Sequence, residues 1–159
     1  MKISGTLFFL KILLITTIFS CQTNKADKVM NESNITSYNP VVYFEIPVND
    51  IDRAIDFYTA VFDFHFEKQV IDHNEMALFP FTDGQTGVSG SLAKGEIYKP
   101  TKGGVVIYFK TLDIDSTLQR VVENGGQLLY PKTPIGNLGL VAEFEDCEGN
   151  RIALHQSAE

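Results

Sequence analysis

The chain has 159 residues, long enough for one domain with a real core and too short for two comfortable ones. Apolar residues make up 44% and charged residues 21%, the balance of a globular protein. Lys and Arg number 13 against 20 Asp and Glu, a formal net charge of -7, and this acidic surface, with no basic patch and no Gly-rich phosphate loop, argues against nucleic-acid binding.

The first twenty residues read as a targeting segment rather than as part of the fold. Lys2 and Lys11 supply positive charge, and residues 12–19 form an apolar run too short to span a bilayer. The tetrad Ile18-Phe19-Ser20-Cys21 resembles the lipobox of bacterial lipoproteins, which implies lipidation of Cys21 as the mature N-terminus. Residues 1–20 are then a lipoprotein signal peptide, residues 21–38 a polar tether, and the protein sits in the bacterial cell envelope, facing the periplasm or exterior and meeting the membrane through its anchor alone. The alternative is an ordinary signal peptide with an incidental Cys. If Cys21 is acylated, Cys147 has no partner and the domain carries no disulfide. Processing removes Lys2 and Lys11 and no acid, leaving 11 basic against 20 acidic residues and a net charge of -9, which holds the domain off an anionic surface.

From residue 39 the signals run strand, helix and three strands, then the same order again. Val42, Phe44, Ile46 and Val48 alternate with Tyr43, Glu45 and Pro47, a strand with one apolar face. Asn49 or Asp50 caps the following helix, whose stripe is Ile51, Ala54, Ile55, Tyr58, Val61 and Phe62. That stripe needs the Phe44/Ile46 face, so Tyr43 and Glu45 face away from it. Further strands are expected at 64–70, 76–81 and 88–93, with turns at His73-Asn74 and Asp83-Gly84. Residues 94–104 read as a linker. The second copy has a strand from Val105, a stripe of Ile114, Leu118, Val121 and Val122 stopped by Gly125-Gly126, and strands at 127–130, 138–145 and 151–155. The dipeptides Asp50-Ile51 and Asp113-Ile114 set the register between copies, roughly 39–95 and 103–156, making Tyr43, Glu45 and Pro47 the counterparts of Val106, Tyr108 and Lys110. A duplicated sheet-and-helix unit leaves faces that must curl around something or pack together.

Three strings, FEIPVNDIDRAIDFYTAVF, MALFPFTDGQTGVSGSLAKGE and FEDCEGNRIALHQ, occur in order and resemble the vicinal oxygen chelate superfamily, which includes glyoxalase I, bleomycin resistance proteins and extradiol dioxygenases. The resemblance covers about residues 40–156. It implies an α+β fold, tandem βαβββ modules forming a cup-shaped, glyoxalase-like mixed sheet over residues 39–157. It also places the metal ligands of the family's enzymes on Tyr43, Val106, Ala153 and either Ser89 or Ser91. None of these is a His or a carboxylate, so no family-type metal site is expected.

The polar groups left for the cup are few. Tyr43, Glu45, Ser91, Tyr108 and His155 are the candidate ligand-binding residues, with Glu45 the candidate general base if an apolar cup desolvates it. The competing reading pairs Glu45 with Arg151 and leaves His155 as a satisfied rim residue. Cys147, between Asp146 and Glu148, is disfavoured as a thiolate. The expectation is therefore a lipid-anchored domain, monomer or homodimer, binding a small organic molecule in a metal-free cup. A glyoxalase-like lyase or isomerase using Glu45 as base is the alternative. No cofactor is expected, a divalent metal rebuilt from Glu45, His155 and one other donor being the exception.

Overall fold

A computed structural model describes residues 40–158. The signal-peptide and tether readings, Cys21 included, lie outside the described residues. Two four-stranded mixed sheets, each with one helix, repeat the same plan, so the fold class is α+β with tandem βαβββ modules. The first module comprises β1 (Phe44–Pro47), α1 (Ile51–Phe62), β2 (Glu67–Ile71), β3 (Asn74–Leu78) and β4 (Gly90–Lys94). The second comprises β5 (Ile107–Lys110), α2 (Ile114–Glu123), β6 (Gln127–Pro134), β7 (Leu140–Glu145) and β8 (Arg151–Gln156). Strand orders are β1-β4-β3-β2 and β5-β8-β7-β6, with β1–β4 and β5–β8 parallel and the other pairs antiparallel.

Both helices are capped by an Asp, and at the first the cap is Asp50 rather than Asn49. The Asp50 carboxylate accepts from the amides of Asp52 and Arg53, and the Asp113 carboxylate from those of Asp115 and Ser116, satisfying donors that the first turn leaves free. α1 ends at Asp63 in the left-handed region (φ 60°), its amide bonded to the Thr59 carbonyl. The β2–β3 turn falls on Asp72-His73, both at positive φ as a two-residue hairpin of this hand requires, one residue earlier than His73-Asn74.

The helical stripes need two corrections. Phe57, absent from the expected stripe, is buried, because α1 packs against the second module as well as its own sheet and sets the Phe57 ring 6.2 Å from Phe144. Val122, assigned to the α2 stripe, is 57% exposed. Thr117 is buried in its stead, its hydroxyl tied to the Asp113 carbonyl and to Arg120, whose Nε reaches the Val61 carbonyl at 2.7 Å.

One core unites the modules, with Ile46, Ile51, Tyr58 and Leu92 from the first and Ile114, Phe144, Ile152 and Leu154 from the second. Phe109 of β5 sits among aromatics of the first module, 5.1 Å from Phe62, 5.6 Å from Phe79 and 6.1 Å from Phe44. Such rings carry a large share of core energy, about 2–3 kcal/mol for each fully buried side chain before pair geometry is counted.

Candidate functional site

Strand register settles which side chains share the face turned away from each helix. Glu45 lies opposite Ser91, which lies opposite Leu78; in the second sheet Tyr108 lies opposite Ala153, which lies opposite Glu143. Glu45 is on the face of β1 opposite Ile46, whose side chain is buried in the core, and Tyr43 immediately precedes the strand. β1 and β5 belong to separate sheets, and residues of both line two clefts. One, of about 220 Å3, is lined by Glu45, Pro47, Thr101, Val105, Asn150 and Arg151. The other, of about 510 Å3, has Phe44, Val88, Val106, Tyr108 and Lys110 on its walls. They are images of each other under the duplication, with Tyr108 and Lys110 of the second cleft standing where the first has Glu45 and Pro47.

Glu45 is exposed, and its Oε2 accepts a 3.0 Å hydrogen bond from the Tyr98 hydroxyl. The expectation of a desolvated base is therefore not met, since a carboxylate open to water lacks the low-dielectric surroundings that a poised base needs. Nor does Glu45 pair with Arg151: the two line the same cleft, but the Arg151 guanidinium is held by Glu143, with Nη2 at 2.5 Å and Nε at 2.6 Å. Across the strand, Ser91 is fully buried and its Oγ has no hydrogen-bond partner. Leaving a hydroxyl so placed costs about 1–3 kcal/mol, which marks the position as one not chosen for stability alone.

His155 stands apart from this group. It occupies β8 opposite Lys110 and Val141, and its Nε2 donates to the Leu138 carbonyl at 2.8 Å, the satisfied arrangement of the competing reading. Tyr43 and Tyr108 are 45% and 54% exposed. The structure thus joins Glu45 and Ser91 on one sheet, leaves Tyr43 just before β1, and puts Tyr108 and His155 on the other sheet.

Tyr98 is the residue that sequence reasoning missed, because it lies in a segment read as linker. Burial, reinforced by the Glu45 carboxylate and by Tyr43 and Asp72 nearby, pushes its phenol up, so it is a donor at neutral pH. Residues 146–150, read from the sequence as part of a family string, hold the surroundings in place. Glu148 accepts from the Asn49 and Asp50 amides and pairs with Arg53 at 2.7 Å, and Asn150 donates to the Pro47 carbonyl while accepting from the Thr101 amide. At their centre Asp146 accepts from Tyr58, from the Glu148 and Asn150 amides and from the Asn150 side chain, and burial outweighs these bonds to push its carboxyl up. The Cys147 thiol is pushed up to about 12 by burial and by its two acidic neighbours, which leaves it inert at neutral pH.

Comparison with known proteins matches this geometry. The family model described as Glyoxalase/Bleomycin resistance protein/Dioxygenase superfamily covers residues 40–154. The chain belongs to that superfamily. A glyoxylase-like domain-containing protein of Didymella fabae is 29% identical over 114 residues, 69% of this chain and 88% of that protein. Among solved structures, a glyoxylase/bleomycin resistance protein/dioxygenase domain from Frankia sp. EAN1pec is 17% identical with a TM-score of 0.59, covering 76% of this chain and 99% of that one. TnmS3, an antibiotic-binding protein from Streptomyces sp. CB03234, is 26% identical with a TM-score of 0.55, covering 77% and 98%. A mutant of glyoxalase I from Zea mays has a TM-score of 0.56 at 17% identity; 74% of this chain matches, spanning 46% of the maize protein, so that likeness shows the fold alone.

The metal of the superfamily's enzymes can be tested against this frame. Register makes Ser91, not Ser89, the counterpart of Ala153, so the four ligand positions implied by the resemblance carry a phenol, a hydroxyl and two apolar side chains, on Tyr43, Ser91, Val106 and Ala153. A divalent ion needs several preorganised imidazole, thiolate or carboxylate donors, and this set does not fit one. Among the described residues no three His, Cys, Asp or Glu side chains converge elsewhere.

Proposed function

We propose that this superfamily member is an exported, lipid-anchored protein that binds a small organic molecule in its cup without a resident metal. The observation that carries this reading is the donor set at the four ligand positions, which suits a shaped organic ligand and not an ion. The unpartnered Ser91 hydroxyl beside an exposed Glu45 carboxylate supplies the few orienting polar groups such a site needs. The antibiotic-binding protein at 26% identity supports small-molecule binding on this fold. The test is calorimetric titration of small aromatic and heteroaromatic compounds into the full chain, with and without EDTA. Saturable binding unchanged by chelator is expected, and binding that disappears on chelation contradicts the reading.

The lyase or isomerase alternative requires Glu45 to act as base. Glu45→Ala would then abolish turnover while sparing affinity, whereas under the binding reading it weakens affinity and there is no turnover to lose. The anchor is tested separately: Cys21→Ser should move the protein from the membrane fraction to the soluble envelope fraction, and unchanged membrane retention would contradict lipidation.

A further inference from the structure

Resting on that reading, we infer that Tyr98 occupies the ligand's own position, and that the natural ligand is a planar hydroxyaromatic which displaces it, donating its phenolic hydroxyl to Glu45 and a second polar group to Ser91. Three independent observations converge on this. First, Glu45 is satisfied by a neutral donor: among the described residues it takes part in no ion pair, and its hydrogen-bond partner is the Tyr98 hydroxyl at 3.0 Å. A carboxylate met by a phenol is already a receptor for phenols, and the exchange of one phenol for another preserves that charge-assisted bond. Second, the Ser91 Oγ lies directly across the strand pair from Glu45, fully buried and without a partner. Tyr98 has one hydroxyl and spends it on Glu45, so a ligand with a second polar group gains a bond that Tyr98 does not make. Third, the segment bearing Tyr98 is lightly held. It is fixed at Thr101, whose amide donates to Asn150, and at Gly95, where any side chain would strike Asn74 Oδ1 at 2.0 Å. Between these points its hydrogen bonds are a local one from the Tyr98 amide to the Gly95 carbonyl and the one from the phenol, and Ile97 beside it is 77% exposed.

An internal occupant taxes affinity by the fraction of time it fills the site. Removing it should therefore reveal affinity for a molecule of the same chemistry. The probe is 4-methylphenol, the side chain of tyrosine as a free compound, with 4-methylanisole as the control that keeps the ring and loses the donor. Binding is followed by ligand-observed NMR and calorimetry on full-length wild type, Tyr98→Phe and Tyr98→Ala, each checked for native circular dichroism. The expected order for 4-methylphenol is Tyr98→Ala tightest, then Tyr98→Phe, then wild type, the extremes differing by about tenfold. 4-methylanisole, which has no hydroxyl to donate, should bind each of the three more weakly than 4-methylphenol does. In the Tyr98→Ala background, 4-methylcatechol should bind more tightly than 4-methylphenol, and Ser91→Ala should erase that advantage. Tyr98→Phe keeps the ring and its packing, so it carries the test if Tyr98→Ala does not fold. Equal affinity of the three proteins for 4-methylphenol, or equal response to the phenol and its methyl ether, would overturn the inference. Those results would leave the metal-free binding reading standing if other compounds still bind in EDTA. Loss of all binding on chelation would overturn that reading, whatever the order of the Tyr98 variants.

Discussion

On their helix sides the two modules share four identical buried pairs, whereas the matched positions of their opposite faces differ. Ile51 and Ile114, Ala77 and Ala142, Phe79 and Phe144, and Leu92 and Leu154 are identical pairs at matched register, all buried. Across the sheets, Tyr43 matches Val106, Glu45 Tyr108, Pro47 Lys110, Leu78 Glu143 and Ser91 Ala153. Close packing against a helix restricts what these positions tolerate, and these four pairs are the same in both copies. The far faces are free of that demand and have diverged into one sheet with an acid, a phenol and an orphan hydroxyl, and another whose Arg151 and Glu143 neutralise each other. Chemistry thus sits on one module of a symmetric frame.

If that division is right, substitutions should sort by face. Phe144→Ala, on the shared frame and fully buried, should cost about 3–5 kcal/mol in urea unfolding, the largest loss of the set. Asp146→Ala should cost about 3 kcal/mol, because it strands the buried Tyr58 hydroxyl and the Asn150 side chain that steady the frame from outside the sheets. Asp146→Asn should cost less, with a telling pH dependence. The native carboxyl is pushed above its unfolded value, so the native state holds the extra proton between the two values, and that contribution falls as pH rises through the window. The deficit of Asp146→Asn relative to wild type should therefore shrink as pH rises above the ordinary carboxylate range. The cap carboxylates of Asp50 and Asp113 behave oppositely: held below their ordinary value, mainly by backbone amides at Asp50 and by Ser116 at Asp113, they contribute above the unfolded value, and that contribution is lost as pH falls through the folded one.

Far-face substitutions should leave stability alone and move binding. Glu45→Ala should shift unfolding by less than about 0.5 kcal/mol, as for a surface site, while weakening a bound small molecule by about tenfold or more. Ser91→Ala, which installs the residue its counterpart Ala153 already has, should be neutral or stabilise by up to about 1 kcal/mol because it removes an unpartnered buried hydroxyl. A marked destabilisation by Ser91→Ala would mean that the hydroxyl serves packing, and would erase the contrast between the faces.

The same contrast explains what the sequence made legible. Local rules placed the first cap at Asn49 or Asp50, and alternation put Glu45 away from α1, because neighbouring residues decide those features. Phe57 escaped the helical stripe because its partner Phe144 comes from the other module, and no periodicity within one helix reports a second surface. Tyr98 escaped because a segment without period or motif gives no sign of where its side chain lands; the Tyr98 to Glu45 bond spans 53 residues. The pairing imagined for Glu45 with Arg151 failed for a related reason: Glu143, from β7, reaches the guanidinium instead. Ser91 was named from the family resemblance, but its unpartnered hydroxyl became visible only with neighbours in three dimensions.

The most direct test of a cup that works without a metal is elemental analysis of the purified full-length protein, dialysed without chelator beside an EDTA-treated control. The account predicts far less than one equivalent of any divalent ion and no change on EDTA treatment. One equivalent of an ion that EDTA removes would contradict it, and would make Glu45 and His155 the first residues to examine as ligands.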